Sequence, residues 1–307
     1  MKRQSGKSLV KMLALALGIV CTQFAAAQSF KRVNVSGGTP LLQISSGGAS
    51  VWALGSNHHP YIYNKPQFVL ANNISLTQIA VGGGNVVQAD EVWALNSSGS
   101  IYRAHKSGTS WVFSPVAGSL DGIVVGAGYG GGDQAACHPY EVWGLNPSAQ
   151  IFRYNYCTKG FDHVPGILCD IHVGGGDVWG ADCGPDVFYF NFSTGAFAQL
   201  FPVPFGAFPQ LTVGSNGDVW ATDTGNSNVY ALDQLTHKFR PYGCCAAQIQ
   251  AGNGVWKLDA STAFRFEPIL DAFVPVSSPS LVSLSVGSGG GVWGIDSSHQ
   301  VFAFTTP

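Results

Sequence analysis

Residues 91–103 read Glu91-Val-Trp-Ala-Leu-Asn-Ser-Ser-Gly-Ser-Ile-Tyr-Arg103, and the Val-Trp pair of this stretch occurs seven times along the chain. The seven pairs contain every tryptophan except Trp111, namely Trp52, Trp93, Trp143, Trp179, Trp220, Trp256 and Trp293. By subtraction of these positions, successive pairs lie 41, 50, 36, 41, 36 and 37 residues apart. A sequence period of roughly 40 residues with short strands is typical of the blades of β-propellers.

Each repeat contains four short apolar segments, here named strands a to d. Strand a ends in Ile/Leu-x-x-Gly, as in residues 79–82, and strand b carries the Val-Trp pair. Strand c is aromatic, as in residues 101–103, and strand d closes the repeat, as in residues 68–70. The segments are rich in β-branched and aromatic residues and are bounded by Gly, Asn, Asp, Ser or Pro, which predicts strands.

Strand b predicts where the tryptophans lie. In Val-Trp-Ala-Leu, alternate side chains point to opposite faces of the strand, and both faces are apolar. A strand covered on both faces is typical of a blade wedged between two others, so we expect the seven tryptophans in the core. The third residue after the tryptophan is Asn or Asp in repeats 2–7, which predicts turns between strands b and c.

The two ends of the chain indicate how the ring closes. Residues 30–35 look like a strand d without a preceding a, b or c, and residues 301–305 look like a strand c without a following d. Pairing of the two segments would complete the last blade and remove an exposed sheet edge. We therefore predict an all-β fold, a single seven-bladed β-propeller of four-stranded antiparallel blades over residues 28–307, closed by the N-terminal strand.

Residues 1–27 have the features of a secretory signal peptide. Four basic residues precede an apolar run at 12–20, and Ala25-Ala-Ala27 offers a cleavage site. The run is too short to span a bilayer, and no second long apolar run follows. Without these residues the net charge is (15 − 4) − 17 = −6, which argues against nucleic acid as a partner. The sequence therefore predicts a secreted protein, extracellular or periplasmic, with no membrane span.

Six cysteines remain after the signal peptide, an even number that predicts disulfides in an exported protein. If the b–c hairpin of repeat 3 turns at its Asn-Pro-Ser-Ala sequence, facing residue numbers sum to about 295, and Cys137 with Cys157 gives 294. A similar count for the a–b hairpin of repeat 4 is about 351, and Cys169 with Cys183 gives 352. Both pairs are expected to bond, since each falls within the reach of a disulfide. The remaining two, Cys244 and Cys245, either form a strained vicinal bond or stay reduced.

The sequence contains no recognisable catalytic or metal-binding motif. Two Gly-x-Gly-x-x-Gly strings begin at Gly126 and Gly289, but neither opens a helix after a strand, so a dinucleotide site is not expected. The strings His-Glu-x-x-His, Gly-x-Ser-x-Gly and Cys-x-x-Cys are absent from the sequence. We therefore predict that the protein is not an enzyme and uses no cofactor and no metal.

Ile79-Ala-Val-Gly82, followed by residues 91–103, resembles a tectonin-type propeller repeat, and Val142-Trp-Gly-Leu-Asn146 fits the same pattern. The resemblance covers nearly all of residues 28–307. Tectonins include secreted carbohydrate-binding lectins, so the resemblance implies glycan recognition. Repeat 5, which reads Leu211-Thr-Val-Gly-Ser-Asn-Gly-Asp-Val-Trp-Ala-Thr-Asp223, is also similar to the repeats of streptogramin-lyase-type propellers.

Two long loops predict where a ligand binds. The distance from the strand-a glycine to the tryptophan is 11 and 17 residues in repeats 2 and 3, against 4–6 residues in the others. Long loops on a rigid scaffold often carry binding sites, although a tolerated insertion is the plainer interpretation. Sugar sites combine an aromatic ring with a few polar groups. The predicted ligand-binding residues are Tyr129, Tyr140, His138, Asp133, Gln88, Asp90 and the strand-d Trp111.

Three functions remain open for this sequence. The leading one is a secreted, lectin-like binding module whose partner is a glycan or glycoconjugate. The alternative is a protein–protein interaction scaffold without affinity for sugars. The third, a lyase-like enzyme, would need a histidine-centred group of residues that converges at the central channel of the propeller.

Overall fold

The computed structural model describes residues 29–83, 89–129 and 136–305. Regular structure in these residues is β-strand throughout, apart from one short 3-10 turn at Ser36–Gly38. In the same ranges no helix is long and apolar enough to cross a membrane. The predicted signal peptide lies outside the described residues, so its prediction stands untested.

Each of the seven predicted repeats contains four of the described strands. Repeat 1 contains β2 (Leu41–Ser46), β3 (Val51–Gly55), β4 (Pro60–Asn64) and β5 (Gln67–Leu70), and repeat 2 contains β6 (Gln78–Gly82), β7 (Glu91–Leu95), β8 (Ser100–Ser107) and β9 (Ser110–Ser119). Repeat 3 contains β10 (Gly122–Ala127), β11 (Tyr140–Leu145), β12 (Gln150–Asn155) and β13 (Gly160–Ile167), and repeat 4 contains β14 (Asp170–Gly174), β15 (Asp177–Ala181), β16 (Val187–Asn191) and β17 (Ala196–Leu200). Repeat 5 contains β18 (Pro209–Val213), β19 (Val219–Asp223), β20 (Val229–Asp233) and β21 (Lys238–Pro241). Repeat 6 contains β22 (Gln248–Gly252), β23 (Gly254–Asp259), β24 (Thr262–Glu267) and β25 (Ala272–Pro275). Repeat 7 contains β26 (Leu281–Val286), β27 (Val292–Asp296), β28 (Val301–Thr305) and the N-terminal strand β1 (Ser29–Val35).

Strands a to d of each repeat pair antiparallel in that order. In repeat 2, for example, Ile79 lies opposite Ala94, and Trp93 lies opposite Arg103. Because antiparallel strands alternate in direction, the a–b and c–d loops emerge at one end of the sheet, and the b–c and d–a loops at the other. We name these two ends the upper rim and the lower rim.

The N-terminal strand closes the ring as predicted. β1 pairs antiparallel with β28, from Ser29 opposite Thr305 to Val33 opposite Val301. A parallel contact of two residue pairs also joins β1 to β5. The first and last repeats therefore form one eight-stranded sheet, beside five sheets of four strands. The predicted count of seven blades corresponds to a division of this large sheet at the short parallel contact.

The seven Val-Trp tryptophans lie in the core, each with 7% or less of its surface exposed. The Trp93 ring meets Tyr154 of the next repeat nearly edge to face, with the ring centroids 4.6 Å apart. The last of the series, Trp293, contacts Tyr63 of repeat 1 at 4.7 Å, so this packing also crosses the closure. Edge-to-face contacts bring the positive ring edge onto a negative ring face and add stability beyond the buried area.

Glutamine side chains on strand a tie neighbouring repeats together around the central channel. The Gln43 amide donates to the carbonyl of Ile79 at 3.2 Å and accepts from its N–H at 3.0 Å. Gln78 makes the same two bonds to Ile123, and Gln248 does so in repeat 6. The bonds satisfy backbone groups of an innermost strand that has no further strand beside it.

The Asn or Asp after strand b forms the predicted turns. Asn96 Oδ1 accepts from the N–H groups of Ser98 at 3.1 Å and Ser100 at 2.9 Å. Asn146 and Asp182 accept equivalent pairs of backbone N–H bonds in their own repeats. These oxygens therefore stabilise the lower-rim turns.

All six cysteines that follow the predicted signal peptide are in disulfides. The structure joins the two predicted pairs, Cys137 with Cys157 and Cys169 with Cys183, and also the adjacent Cys244 and Cys245. In repeat 4, Asp170 lies opposite Ala181, and these two residue numbers add up to the expected 351. Disulfides persist in oxidising compartments, so the three bonds indicate a protein that works outside the cytosol.

Candidate functional site

Tyr129 presents an aromatic ring at the upper rim, just after β10. The residue is 50% exposed. Its ring stacks on Phe192 from the c–d turn of repeat 4, with the centroids 4.1 Å apart and the planes inclined by 11°. The backbone N–H of Tyr129 donates to the carboxylate of Glu141. The ring is thus held in one orientation while a large part of the residue stays accessible.

A buried ion pair supports this part of the rim. Arg153 donates to Glu141 through Nε at 2.9 Å and Nη2 at 2.6 Å, and Trp143 Nε1 donates to the same carboxylate at 2.7 Å. The guanidinium lies 5.3 Å from the centre of the Phe192 ring, which favours a cation–π contact. Burial raises the pKa of Glu141 above its usual value, although the bonds from Arg153 act in the opposite direction. Glu141 and Arg153 therefore position the rings above them.

Repeat 2, the neighbour of repeat 3 in the propeller, contains the same arrangement. Arg103 donates to Glu91 through Nε at 2.9 Å and Nη2 at 2.7 Å, and Trp93 Nε1 donates at 3.1 Å. The guanidinium lies 5.1 Å from the ring of Tyr156, which occupies in repeat 3 the place of Phe192 in repeat 4. Sequence analysis missed this motif, although its signal is present. Both repeats have Glu two residues before the tryptophan and Arg twelve residues after that Glu.

His138 lies beside a small cavity between repeats 3 and 4. Its Nδ1 is hydrogen-bonded to the carbonyl of Tyr154 at 3.0 Å. Burial, followed by the charge of Arg153, lowers the pKa of His138 below its usual value, so the imidazole is neutral at pH 7. The cavity has a volume of about 340 Å³ and is also lined by Arg153, Asp162 and Phe190. Polar and aromatic groups therefore meet close to the predicted site.

Tyr140 and Asp90, two of the predicted ligand-binding residues, have structural contacts. The Tyr140 hydroxyl donates to the carbonyl of Ala89 at 3.0 Å, which connects repeats 2 and 3. The Asp90 carboxylate accepts from the backbone N–H groups of Gly48 at 2.8 Å and Ser50 at 2.6 Å. Asp90 thus holds the a–b loop of repeat 1 against repeat 2. Substitution of either residue would disturb the packing of the rim as well as the binding of any ligand.

Trp111 does not join the group around Tyr129. Its ring lies 4.7 Å from that of Trp52, nearly edge to face, and the ammonium of Lys106 lies 5.4 Å from it. Trp111 therefore covers the interface of repeats 1 and 2, whereas Tyr129 faces repeat 4. The other two predicted residues, Asp133 and Gln88, lie outside the described residues.

The central channel, which lies between the seven copies of strand a, forms a larger cavity of about 840 Å³. Among the described residues of its wall, His138 and His172 are the ionisable ones. His172 Nε2 lies 2.9 Å from Asp170 Oδ2 on the same strand. Burial lowers the pKa of His172, but the charge of the adjacent Asp170 and its hydrogen bond to the imidazole together outweigh this effect, and the pKa lies above its usual value.

In the ranges that the structure describes, the channel wall has few side chains that could act as an acid, a base or a metal ligand. Besides His138 and His172, its polar side chains are Gln, Ser and Thr. No set of three or more His, Cys, Asp or Glu residues in those ranges is placed to hold a metal ion. In the described part of the wall, His138 and His172 are the acid–base groups that a lyase-like reaction could use.

Comparison with protein families matches residues 22–199 to the Tectonin domain. None of the curated proteins matches the chain. Among solved structures, a streptogramin B lyase has a TM-score of 0.66 at 14% identity and covers 92% of this chain and 99% of its own. The virginiamycin B lyase from Staphylococcus aureus has a TM-score of 0.65 at 14% identity, covering 91% and 99%. YCF48 bound to D1 peptide has a TM-score of 0.63 at 11% identity, covering 91% and 97%. At these identities the structures share a propeller fold with this chain.

Proposed function

Since the chain belongs to the tectonin family, we propose that it is a secreted, non-enzymatic binding module whose ligand is a glycan. The proposed site is the upper rim between repeats 3 and 4. The observation that carries the proposal is the half-exposed ring of Tyr129, stacked on Phe192 above a buried ion pair. Rings held in this way are suited to the apolar face of a pyranose.

The rigidity of the ring favours binding. A side chain that is already held by stacking loses little conformational entropy when a ligand arrives. Small-ligand sites add a few polar groups to such an apolar surface. In the adjacent cavity, the atoms left for sugar hydroxyls are His138 Nε2 and Asp162 Oδ1, since His138 Nδ1 is bonded to the carbonyl of Tyr154 and Asp162 Oδ2 accepts from Asn155.

The proposal is tested by a glycan array probed with residues 28–307, followed by titration of the best glycan against two variants. Tyr129→Ala is expected to weaken binding tenfold or more, which corresponds to about 1.4 kcal/mol. It should stay folded, because it loses one aromatic pair worth about 0.5–1.5 kcal/mol. Phe201→Ala, which removes a 67% exposed aromatic side chain near the lower rim, is the control and should bind normally.

The second candidate function is a protein-interaction scaffold. It is favoured by apolar side chains at the upper-rim turns of repeats 5 and 6, where Leu235 is 94% exposed and Ile269 is 97% exposed. YCF48, which has a similar fold, has been solved with a peptide bound. An array without any bound glycan, or equal affinity of the Tyr129→Ala variant and the wild type, would reject the rim glycan site and leave this candidate.

A further inference from the structure

Repeat 6 breaks a packing rule that the other six repeats obey. The residue after the tryptophan of strand b is small in six repeats, namely Ala53, Ala94, Gly144, Gly180, Ala221 and Gly294, but it is Lys257 in repeat 6. The position has little room. A Cβ atom added at Gly144 would lie 2.3 Å from Leu120 Cδ1, and one added at Gly180 would lie 2.5 Å from Leu168 Cδ1.

The residue that fills this space in the other repeats is also different in repeat 6. It lies three positions before the first residue of the Ile/Leu-x-x-Gly sequence and is large in six repeats, namely Leu41, Leu76, Leu120, Leu168, Phe208 and Leu281. In repeat 6 the corresponding residue is Ala246, which is buried. Repeat 6 thus has a long residue where the others have a small one, and a small residue where they have a large one. The alkyl chain of Lys257 is long enough to occupy the volume of the missing leucine.

Filling the volume does not require a charge, yet Lys257 brings one into the interior. The residue is 7% exposed. Its Nζ donates to the carbonyl of Cys244 at 2.8 Å and lies 5.2 Å from the ring of Phe264 and 5.3 Å from that of Phe273. None of the ion pairs in the described part of the chain includes it. Because an ammonium has three donors, two remain for another acceptor, and buried lysines are almost always paired.

Lys257 lines a cavity of about 410 Å³ between repeats 5 and 6, as do Cys244, Phe264 and Phe273, which surround its ammonium. Arg240, Tyr242 and Asp271 also line it. Asp271 is engaged by an ion pair with Arg240 and by the Tyr242 hydroxyl at 2.9 Å. The lining therefore has two cations and one anion, although the whole chain has a net charge of −2. Burial lowers the pKa of Lys257, although the charge of Asp259 acts in the opposite direction, and a bound anion would further stabilise the charged form of the lysine.

We propose that this cavity binds a carboxylate-bearing sugar, with the carboxylate on Lys257 Nζ and the sugar ring against the aromatic wall formed by Tyr242, Phe264 and Phe273. The volume falls in the range of small-ligand sites, and an aromatic wall with one buried cation matches a ring with an apolar face and one acidic group. The site lies between repeats 5 and 6 and shares no residue with the rim site around Tyr129. It therefore goes beyond the proposed function and does not depend on it.

The test is a calorimetric titration of the wild-type protein with glucuronate, its neutral counterpart glucose, and benzoate as a carboxylate that is not a sugar. We expect glucuronate to bind, glucose to bind at least tenfold more weakly, and benzoate to bind more weakly than glucuronate. Lys257→Met keeps the volume of the side chain and removes its charge, so it should fold and lose glucuronate affinity tenfold or more. Lys238→Met, which removes an exposed lysine of the neighbouring β21, is the matched control and should bind as the wild type does.

A second measurement uses the unmutated side chain. After ¹³C-dimethylation of the lysines, the Lys257 resonance should titrate at higher pH with glucuronate than without it. Glucose binding as tightly as glucuronate, equal affinity of the Lys257→Met variant, or a Lys257 titration that glucuronate does not move would overturn the proposal. Benzoate binding as tightly as glucuronate would reject the sugar and leave a general carboxylate site. Glucuronate affinity should be unchanged in Tyr129→Ala, which separates this site from the rim site.

Discussion

Glu141→Gln is expected to destabilise the protein far more than the corresponding Glu91→Gln. Both variants keep the size of the side chain and remove the same charge from the same position of neighbouring repeats. The Arg153 side chain is 7% exposed beside a fully buried Glu141, whereas that of Arg103 is 38% exposed. Removing one partner of a buried pair costs about 3–5 kcal/mol, because the remaining charge has lost access to water. In repeat 2, water reaches the more exposed Arg103 guanidinium and replaces the lost partner, and the cost is about 1 kcal/mol or less.

Thermal unfolding, followed by tryptophan fluorescence with the disulfides intact, measures the difference. With roughly 2–4 °C of Tm per kcal/mol for a chain of this size, Glu141→Gln should lower Tm by about 6–20 °C and Glu91→Gln by about 4 °C at most. The double variant Glu141→Leu with Arg153→Met should recover most of the loss, since a buried pair is often replaceable by apolar residues of similar volume. Equal losses in the two single variants, or no recovery in the double variant, would refute the reasoning from burial.

Two further predictions concern the channel and the closure. Because the charge and the hydrogen bond of Asp170 together raise the pKa of His172, the stability that protonated His172 contributes is present below about pH 6.5 and is lost as the pH rises through the folded-state pKa. In urea unfolding between pH 6 and pH 9, the free energy of unfolding of the wild type should therefore decline as the pH rises, and that of His172→Gln should decline less. Parallel curves of this free energy against pH would contradict the prediction. Deleting residues 28–35 removes β1 and exposes the edge of β28, so Tm should fall and association should appear in size-exclusion chromatography. A deletion variant that is monomeric and melts with the wild type would show that β1 does not stabilise the ring.

Much of the fold follows from the sequence, because its determinants recur at short range. The Val-Trp pairs with apolar residues on both sides require burial on two faces, which a ring of repeats provides. Facing cysteines in a hairpin are found by adding residue numbers, and Cys137 with Cys157 and Cys169 with Cys183 followed from that count. The unmatched first and last strands implied their pairing, since an unpaired edge is unfavourable.

The candidate site follows from the sequence to a much smaller extent, because the exposure of each side chain depends on the neighbouring repeat. In the sequence, Asp90 and Tyr140 stand at the ends of the two long insertions as plausible ligand contacts. In the structure, Asp90 binds the a–b loop of repeat 1, and Tyr140, the first residue of β11, binds the carbonyl of Ala89. Tyr129 is orientated by Phe192, which lies 63 positions further along the chain (192 − 129) and reaches it only through the stacking of repeats 3 and 4.

The amino-acid sequence by itself determined the repeat, the strand order, the hairpin disulfides and the closing strand, since each of these depends on residues close in the chain or on chain ends left without partners. Only the tertiary structure decided which polar and aromatic groups are used in packing and which remain at cavities. Lys257 illustrates the difference: its departure from Ala or Gly is visible in the sequence, but the cavity beside its ammonium arises where repeats 5 and 6 meet. Burial and pairing are properties of such interfaces, and an interface between repeats forms only when the ring is assembled.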